Sequence, residues 1–424
     1  VSTTGRPEGD LRPQAEGSPV VPPAFAPTRA EALARAAAID PEAYARTRNH
    51  LEGAVSRLSP YLTHGLVTLP EVLAEVLRRH PRLPAQAKLV FEFGWREYFH
   101  HAWRHHGAAL LERSLRAGPL PVEAYAAAVP ADVLEARTGL PPIDLAVRAL
   151  HRGGWLHNHA RMWLASHLVH GRKVHWRAGA EWMFAHLLDG DLASNHGSWQ
   201  WVAGTGSGKP YLFNAENVAR HAPPPWHARG TAIDTGYEAL DAVARHAGGS
   251  LPPEPGAARL AAEPVPPCFA TPPAGSFAIA PMPPSAAAVT GRRVRLLHPW
   301  CLRATPDDTA GGGEGTLRVG VLVQELHAAR PWSAARWGFV GAAMSPLVDR
   351  VWLAPAAAIG AALDAAAEVR GVADPHLQGH LASHAREPVP HLFAEPARRC
   401  DSFSKWWTLV SGGHRFAAEL PGLR

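Results

Sequence analysis

The chain has 424 residues, of which 46% are hydrophobic and 19% charged, and a formal net charge of +5. It is long enough for two or three domains around a large buried core, and it reads as soluble and globular. Its mildly basic balance permits an anionic partner such as DNA without requiring one. Cys268, Cys301 and Cys400 stand far apart with no CxxC pair, so neither a disulfide framework nor a thiolate metal or iron–sulfur site is indicated. No apolar run reaches the roughly 18–20 residues of a membrane span, since residues 351–367 are broken by Pro355 and Asp364. With no apolar signal core at the N-terminus, the expected setting is a reducing cytoplasm.

Residues 1–24 are rich in Pro, Gly, Ser and charge, which predicts a flexible tail. From Thr28 the pattern turns helical, with RAEALARAAAI, then Pro41 at a helix start and EAYARTRNHL behind it. In SRLSPYLTHG (56–65) the hydroxyls of Ser56 and Ser59 flank Arg57 just ahead of Pro60, in the first turn of a helix. Free backbone N–H groups, two hydroxyls and a cation make a cradle for an anion such as a diphosphate, although an ordinary capped helix accounts for the same residues. The aromatic helix LVFEFGWREYFHHAWRHH (89–106) follows, where Glu92 and Arg96 have the spacing of an i,i+4 pair on a solvated face.

The stretch from Gly153 to Trp201 organises the chain. Tryptophans, paired acids and basic residues crowd together there inside helical periodicity. Asp191 and Asn195 share a face if their turn is helical, with Asp189 at its mouth, so three polar groups converge on one ligand. Arg161 lies in an apolar helix beside Met162, Trp163 and Leu164; a guanidinium there needs an acidic partner, and Asp189 is the candidate. Taken singly, the aspartates read as helix caps and the tryptophans as core. The 25 histidines lack an HExxH or any ordered Cys/His set, so no metal is expected. GSGK (206–209) fails as a phosphate loop because position 203 is Ala and Pro210 follows Lys209. Residues 246–291 read as a Pro-rich linker without regular pairing. Beyond it, RRVRLLHPW, LRVGVLVQEL and DRVWLAP alternate with the helical runs SAARWGFVGAAM and AIGAALDAAAEVRG, which predicts a small α/β domain with parallel strands at 292–424.

SRLSPYLTHG, WREYFHH (95–101), TGLPPIDLAVRAL (138–150), GWLHNHARM (154–162) and HWRAGAEWMFAHLLDGDLASNHGSWQW (175–201) resemble the flavin-binding domain of the photolyase/cryptochrome family, in order and spacing over roughly residues 25–245. The resemblance implies a mainly α chain. An all-helical FAD-binding domain would occupy 25–245, without the α/β antenna domain that usually precedes it. It implies FAD held at its diphosphate by Ser56, Arg57, Leu58 and Ser59 and framed by Tyr44. Arg96, Asn158, Arg161, Asp189, Gly190, Asp191 and Asn195 would lie around the cofactor, with Asn195 beside flavin N5. Glu92, Trp95, Met162 and Trp201 would meet a flipped-out pyrimidine dimer, and Trp199 and Trp176 would carry electrons to the flavin. The outer Trp of that chain has no counterpart, its neighbourhood offering only Tyr125. Asn158 matches relatives acting on cyclobutane dimers, while Val55, Leu89 and His159 depart from the family's usual Thr, Trp and Arg, and Lys209 and Arg220 stand in for a missing basic segment. The implied activity is light-driven splitting of cyclobutane pyrimidine dimers in damaged DNA by photoexcited reduced FAD, a carbon–carbon lyase reaction. The alternatives are a cryptochrome-like blue-light photoreceptor, or a structural module that has lost its flavin. The α/β domain carries no ligand fingerprint and is left a cover over the helical domain or a contact for a protein partner.

Overall fold

The computed structural model describes residues 24–303 and 316–424, so the expected tail 1–24 lies outside the described residues except for Ala24. Helices fill the chain from Arg29 to Arg245, and side-chain chemistry sets their ends. Thr28 caps α1 (Arg29–Ala37) by accepting the Glu31 N–H. Asp40 caps α2 (Pro41–Thr47), with Pro41 in the first turn as its position predicts. After the short α3 (Ser59–Thr63), α4 (Leu69–Arg79) opens with a reciprocal pair: Thr68 Oγ accepts from the Glu71 backbone and Glu71 accepts from that of Thr68. The 19-residue α5 (Lys88–His106) carries the aromatic stretch. α6 (Ala109–Glu112) and α7 (Ala131–Leu134) lead into α8 (Pro141–Gly153), which Gly154 ends in a left-handed conformation at φ +62°. The chain then runs through α9 (Asn158–Ser166), a wide π-type turn at His167–Gly171, α10 (Trp176–His186), α11 (Leu192–Ala203), α12 (Ala215–His221) and α13 (Tyr237–Arg245).

The C-terminal part is a small α/β unit. Its strands are β1 (Cys268–Phe269), β2 (Arg293–Leu297), β3 (Thr316–Val323), β4 (Trp332–Ser333), β5 (Arg350–Ala354) and β6 (Glu368–Gly371). Four of them form a parallel sheet in the order β5-β3-β2-β6, and β1 pairs antiparallel with β4. Its helices are α14 (Ala286–Val289), α15 (Gln324–Ala329), α16 (Ala334–Met344), α17 (Ala356–Leu363) and α18 (Phe403–Ser411). The chain is therefore mainly helical with a small parallel sheet, the class its sequence predicts.

Two sequence expectations need correction. The helical run expected over AIGAALDAAAEVRG stops at Leu363, and Glu368–Gly371 instead pairs with β2, where backbone groups at the sheet edge find partners. The Pro-rich stretch 246–291 is tied down rather than unpaired. Leu251 and Glu254 donate their N–H groups to Gly171 and Thr138, Arg152 grips Glu263 with two hydrogen bonds of 2.6 and 2.7 Å, and Cys268–Phe269 pairs with Trp332–Ser333. Prolines block ladder donation only at their own positions, which leaves the residues between them free to pair.

Apolar burial does not divide at residue 245. One core joins α1, α4 and α5 to the sheet and helices of the C-terminal unit, while a second core gathers residues between Val133 and Ile233. Close approach depends on small residues at this seam. A Cβ at Gly94 of α5 would lie 2.7 Å from the Trp407 ring of α18, so glycine is what lets the two helices meet.

Candidate functional site

The turn between α10 and α11 carries the two aspartates. Asp191 caps α11, its Oδ1 accepting the Ser194 N–H at 2.7 Å. Its Oδ2 faces His100 Nε2 at 2.9 Å, Arg96 Nη2 at 3.4 Å and His376 Nε2 at 3.4 Å. Burial alone would raise this carboxyl, but His100 and Arg96 outweigh it and hold Asp191 well below the ordinary carboxylate range. Arg161 donates from Nε to the Leu156 carbonyl at 3.0 Å and from Nη2 to Asp189 Oδ2 at 2.7 Å, so the guanidinium in its apolar helix has its acid. Asp189 Oδ1 and Ser194 Oγ are buried with no partner. An unsatisfied buried oxygen costs about 1–3 kcal/mol, which a ligand donating to it would recover.

These groups line a cavity of about 180 Å³. Ser59, Arg96, Asn158, Arg161, Met162, Asp189, Asp191, Asn195 and Trp199 line it, all of them candidates from the sequence. Ala165, Met183, Ser194, Ser198 and Val202 complete the wall. Sequence reading missed them because small and apolar residues at helical spacing look like plain core; only Ser194, three residues after a capping aspartate, carried a signal. It also missed Trp155, whose indole N–H donates to Ser59 Oγ at 3.3 Å and whose ring lies 5.8 Å from the Arg57 guanidinium.

Other candidates sit outside the cavity wall. Leu58 is buried in the core, while Tyr44, Ser56 and the exposed Arg57 lie away from the lining. Arg57 takes φ +50°, a left-handed conformation uncommon for a side-chain-bearing residue and often found where a ligand is gripped. Gly190 lies beneath the turn against Arg336. Glu92 does not pair with Arg96: it meets Lys88 Nζ at 3.0 Å and Arg48 Nε at 3.3 Å, because Arg96 turns inward to Asp191. Trp95 stacks on Phe403 of α18, and Trp201 is 37% exposed beside Tyr211. Trp176 is buried and donates to Ser114 Oγ at 3.0 Å, next to a cleft that also holds Tyr125 and His175. Arg220 is engaged with Glu216. A wider crevice lies between α3–α5 and residues 372–391, with Arg96 as the wall it shares with the aspartate cavity. His101, His105 and Glu395 bring potential metal ligands within 4.8 Å of one another, but His101 spends both ring nitrogens, on Glu395 Oε1 at 2.7 Å and on the Cys400 N–H at 3.0 Å.

The donor set fits a flavin. Asn195 Nδ2 is fixed on the Ala180 carbonyl at 2.9 Å, which leaves its Oδ1 to accept from a ring N–H. The free oxygens of Asp189 and Ser194 offer further acceptors, and Met162, Met183, Trp199 and Val202 offer apolar contact to ring faces. Ser56 and Arg57 stand next to Ser59 in the chain but outside the lining.

Comparison with known proteins agrees. Residues 89–224 match the family model of the FAD binding domain of DNA photolyase. The deoxyribodipyrimidine photo-lyase of Escherichia coli is 34% identical over 174 residues, 38% of this chain and 35% of that protein. The photo-lyase of a Synechococcus species is 34% identical over 184 residues, 40% of this chain and 37% of the relative. The cryptochrome DASH of Idiomarina loihiensis is 28% identical over 169 residues, covering 39% and 38% of the two chains. Among solved structures, a Synechocystis cryptochrome is 26% identical, covers 49% of this chain and 46% of its own, and superposes with a TM-score of 0.40. The chain spans a little over a third of the length of the curated relatives it matches.

Proposed function

We propose, for a chain whose residues 89–224 match the family model of the FAD binding domain of DNA photolyase, the light-driven repair of cyclobutane pyrimidine dimers in DNA. The observation that carries this reading is the cavity in which Asn195, the Arg161–Asp189 pair and Asp191 converge beside Trp199. When bound there, FAD supplies photoexcited electron transfer, chemistry that needs no nucleophile or general acid from the protein. The chain's own part is to bind, orient and tune. Arg161 holds Asp189 in place, Ala180 fixes the Asn195 amide so that its oxygen faces the cavity, and Arg96 with His100 keeps Asp191 ionised. Trp199 borders the same space and is the first ring through which an electron would arrive. Asn158 and Met162, which line the cavity, would be the ones to meet a lesion, and extruding a damaged base costs less than extruding an intact one. The three cysteines are free, which suits a reducing compartment such as the cytoplasm, and no helix among the described residues is long and apolar enough to cross a membrane.

A specific observation favours a second reading, a blue-light-responsive flavoprotein without repair. One face of Trp95 is covered by Phe403, and Glu92 is engaged by Lys88 and Arg48, so two groups assigned to a lesion are already in use. Illumination of the purified, photoreduced protein with a thymine-dimer oligonucleotide decides between them. Turnover of the dimer is the expected result; a flavin-bearing protein that leaves the dimer intact overturns repair in favour of the second reading.

A further inference from the structure

The C-terminal α/β unit lies outside the matched segment 89–224, yet it reaches the backbone of the turn that carries Asp189 and Asp191. Arg336, in the first turn of α16, is 0% exposed. Its Nη1 donates to the Phe184 carbonyl at 2.9 Å and its Nη2 to the Gly190 carbonyl at 2.6 Å, the latter being the peptide oxygen between Asp189 and Asp191. The guanidinium is sandwiched by the rings of Trp332 at 4.0 Å and Phe184 at 4.5 Å. A Cβ at Gly190 would fall 2.4 Å from Nη1, so the glycine between the aspartates is what admits the arginine. From the same unit, His376 accepts the Leu192 N–H at Nε2 (3.0 Å) and donates from Nδ1 to Asp374 at 2.7 Å, bracing the opposite end of the turn.

This arrangement is costly unless the charge has a use. Burying a cation without a carboxylate in contact is expensive, and two carbonyls could be satisfied by a neutral donor. Burial lowers the Arg336 guanidinium to about 9, and that fall is opposed first by Asp189 and Asp191, on either side of the carbonyl it holds, and then by Cys268. In a water-poor interior such charges act on one another far more strongly than in solvent. Two carboxylates beside a redox ring oppose the arrival of an electron; Arg161 and Arg96 offset part of that charge from the cavity side, and Arg336 adds a fixed cation behind the turn.

We propose that Arg336 is a positioning residue of the flavin site: it pins the Asp189–Asp191 turn through the Gly190 carbonyl and adds to the positive charge that offsets both aspartates, which holds the reduction potential of bound flavin above the value it has without Arg336. The inference rests on the FAD reading above. It gives the C-terminal unit a definite task, bracing from behind the turn that carries both aspartates.

The test is the reduction potential of flavin in the purified full-length protein, read by dye equilibration for wild type, Arg336→Gln and Arg336→Lys. At a fixed poise Arg336→Gln is expected to shift the reduced-to-oxidised ratio toward oxidised by about tenfold, which for a two-electron couple is about 30 mV. Arg336→Lys keeps the charge and is expected to stay near wild type. An unshifted Arg336→Gln with normal flavin content overturns the proposal, as does a lysine variant shifted as far as the glutamine one. If Arg336→Gln does not fold, Arg336→Met, which fills the same space without a charge, is read in its place: the same shift toward oxidised supports the proposal, and a potential equal to wild type overturns it. A wild-type protein without flavin sinks both this inference and the reading it rests on, whereas flavin-bearing wild type with an unshifted variant sinks this one alone.

Discussion

Phe403 lies flat on Trp95, with ring centroids 3.9 Å apart and planes 7° from parallel. The contact brings α18, near the C-terminus, onto the aromatic face of α5, where Phe91 and Gly94 receive Phe403 and Trp407. Phe403 is 5% exposed, so Phe403→Ala should lower the unfolding free energy in urea by about 3–5 kcal/mol. It also bares a face of Trp95. If that ring is a wall for a base, the alanine variant binds a thymine-dimer oligonucleotide more tightly than wild type; equal affinities in a fluorescence-anisotropy titration would count against the role.

The Arg161–Asp189 pair is the keystone of the cavity. Removing one member strands the other charge in a largely buried site, and Arg161→Ala should therefore destabilise the protein by about 3–5 kcal/mol. Flavin released on gel filtration should rise in parallel, because Asp189 is left without the contact that aims it. Retention of flavin equal to wild type would show that the pair is structural only.

Trp199 touches both the cavity and α10: a Cβ at Gly179 would lie 2.3 Å from its ring. Gly179→Ala should cost about 1–3 kcal/mol by overpacking and displace that ring. Trp199→Phe removes the indole with little change in volume and should largely abolish photoreduction of bound flavin. Transient absorption of both variants checks this, with wild-type rates in Trp199→Phe dismissing the route.

Acid should unfold the protein steeply. Burial pushes His167 and His327 down to about 3 and His151 and His186 to about 4, and buried ring nitrogens in all four lack partners. A depressed folded-state value means the unfolded chain binds more protons, so the stability these residues carry is complete above pH ~6.5 and is lost as pH falls toward 4. Urea unfolding at stepped pH should show a fall with a slope well above that of a single proton, and His167→Phe should reduce it. A flat profile between 6.5 and 4 would contradict the buried neutral state.

By itself the sequence determined what depends on neighbours along the chain. Pro41 at a helix start and Asp191 four residues ahead of Asn195 act within one or two helical turns, so the helix start and the shared face follow from spacing. The need of Arg161 for an acid was equally legible, since a charge amid Met162, Trp163 and Leu164 cannot stand alone. Only the tertiary structure decided which distant surfaces meet: Phe403 on Trp95, Lys88 and Arg48 on Glu92, Glu368–Gly371 against β2, and Arg336 beneath Gly190. Periodicity says that a side chain will be buried but is silent on what buries it, because dry packing rewards any apolar partner of suitable shape and the choice is made by the whole set of contacts at once.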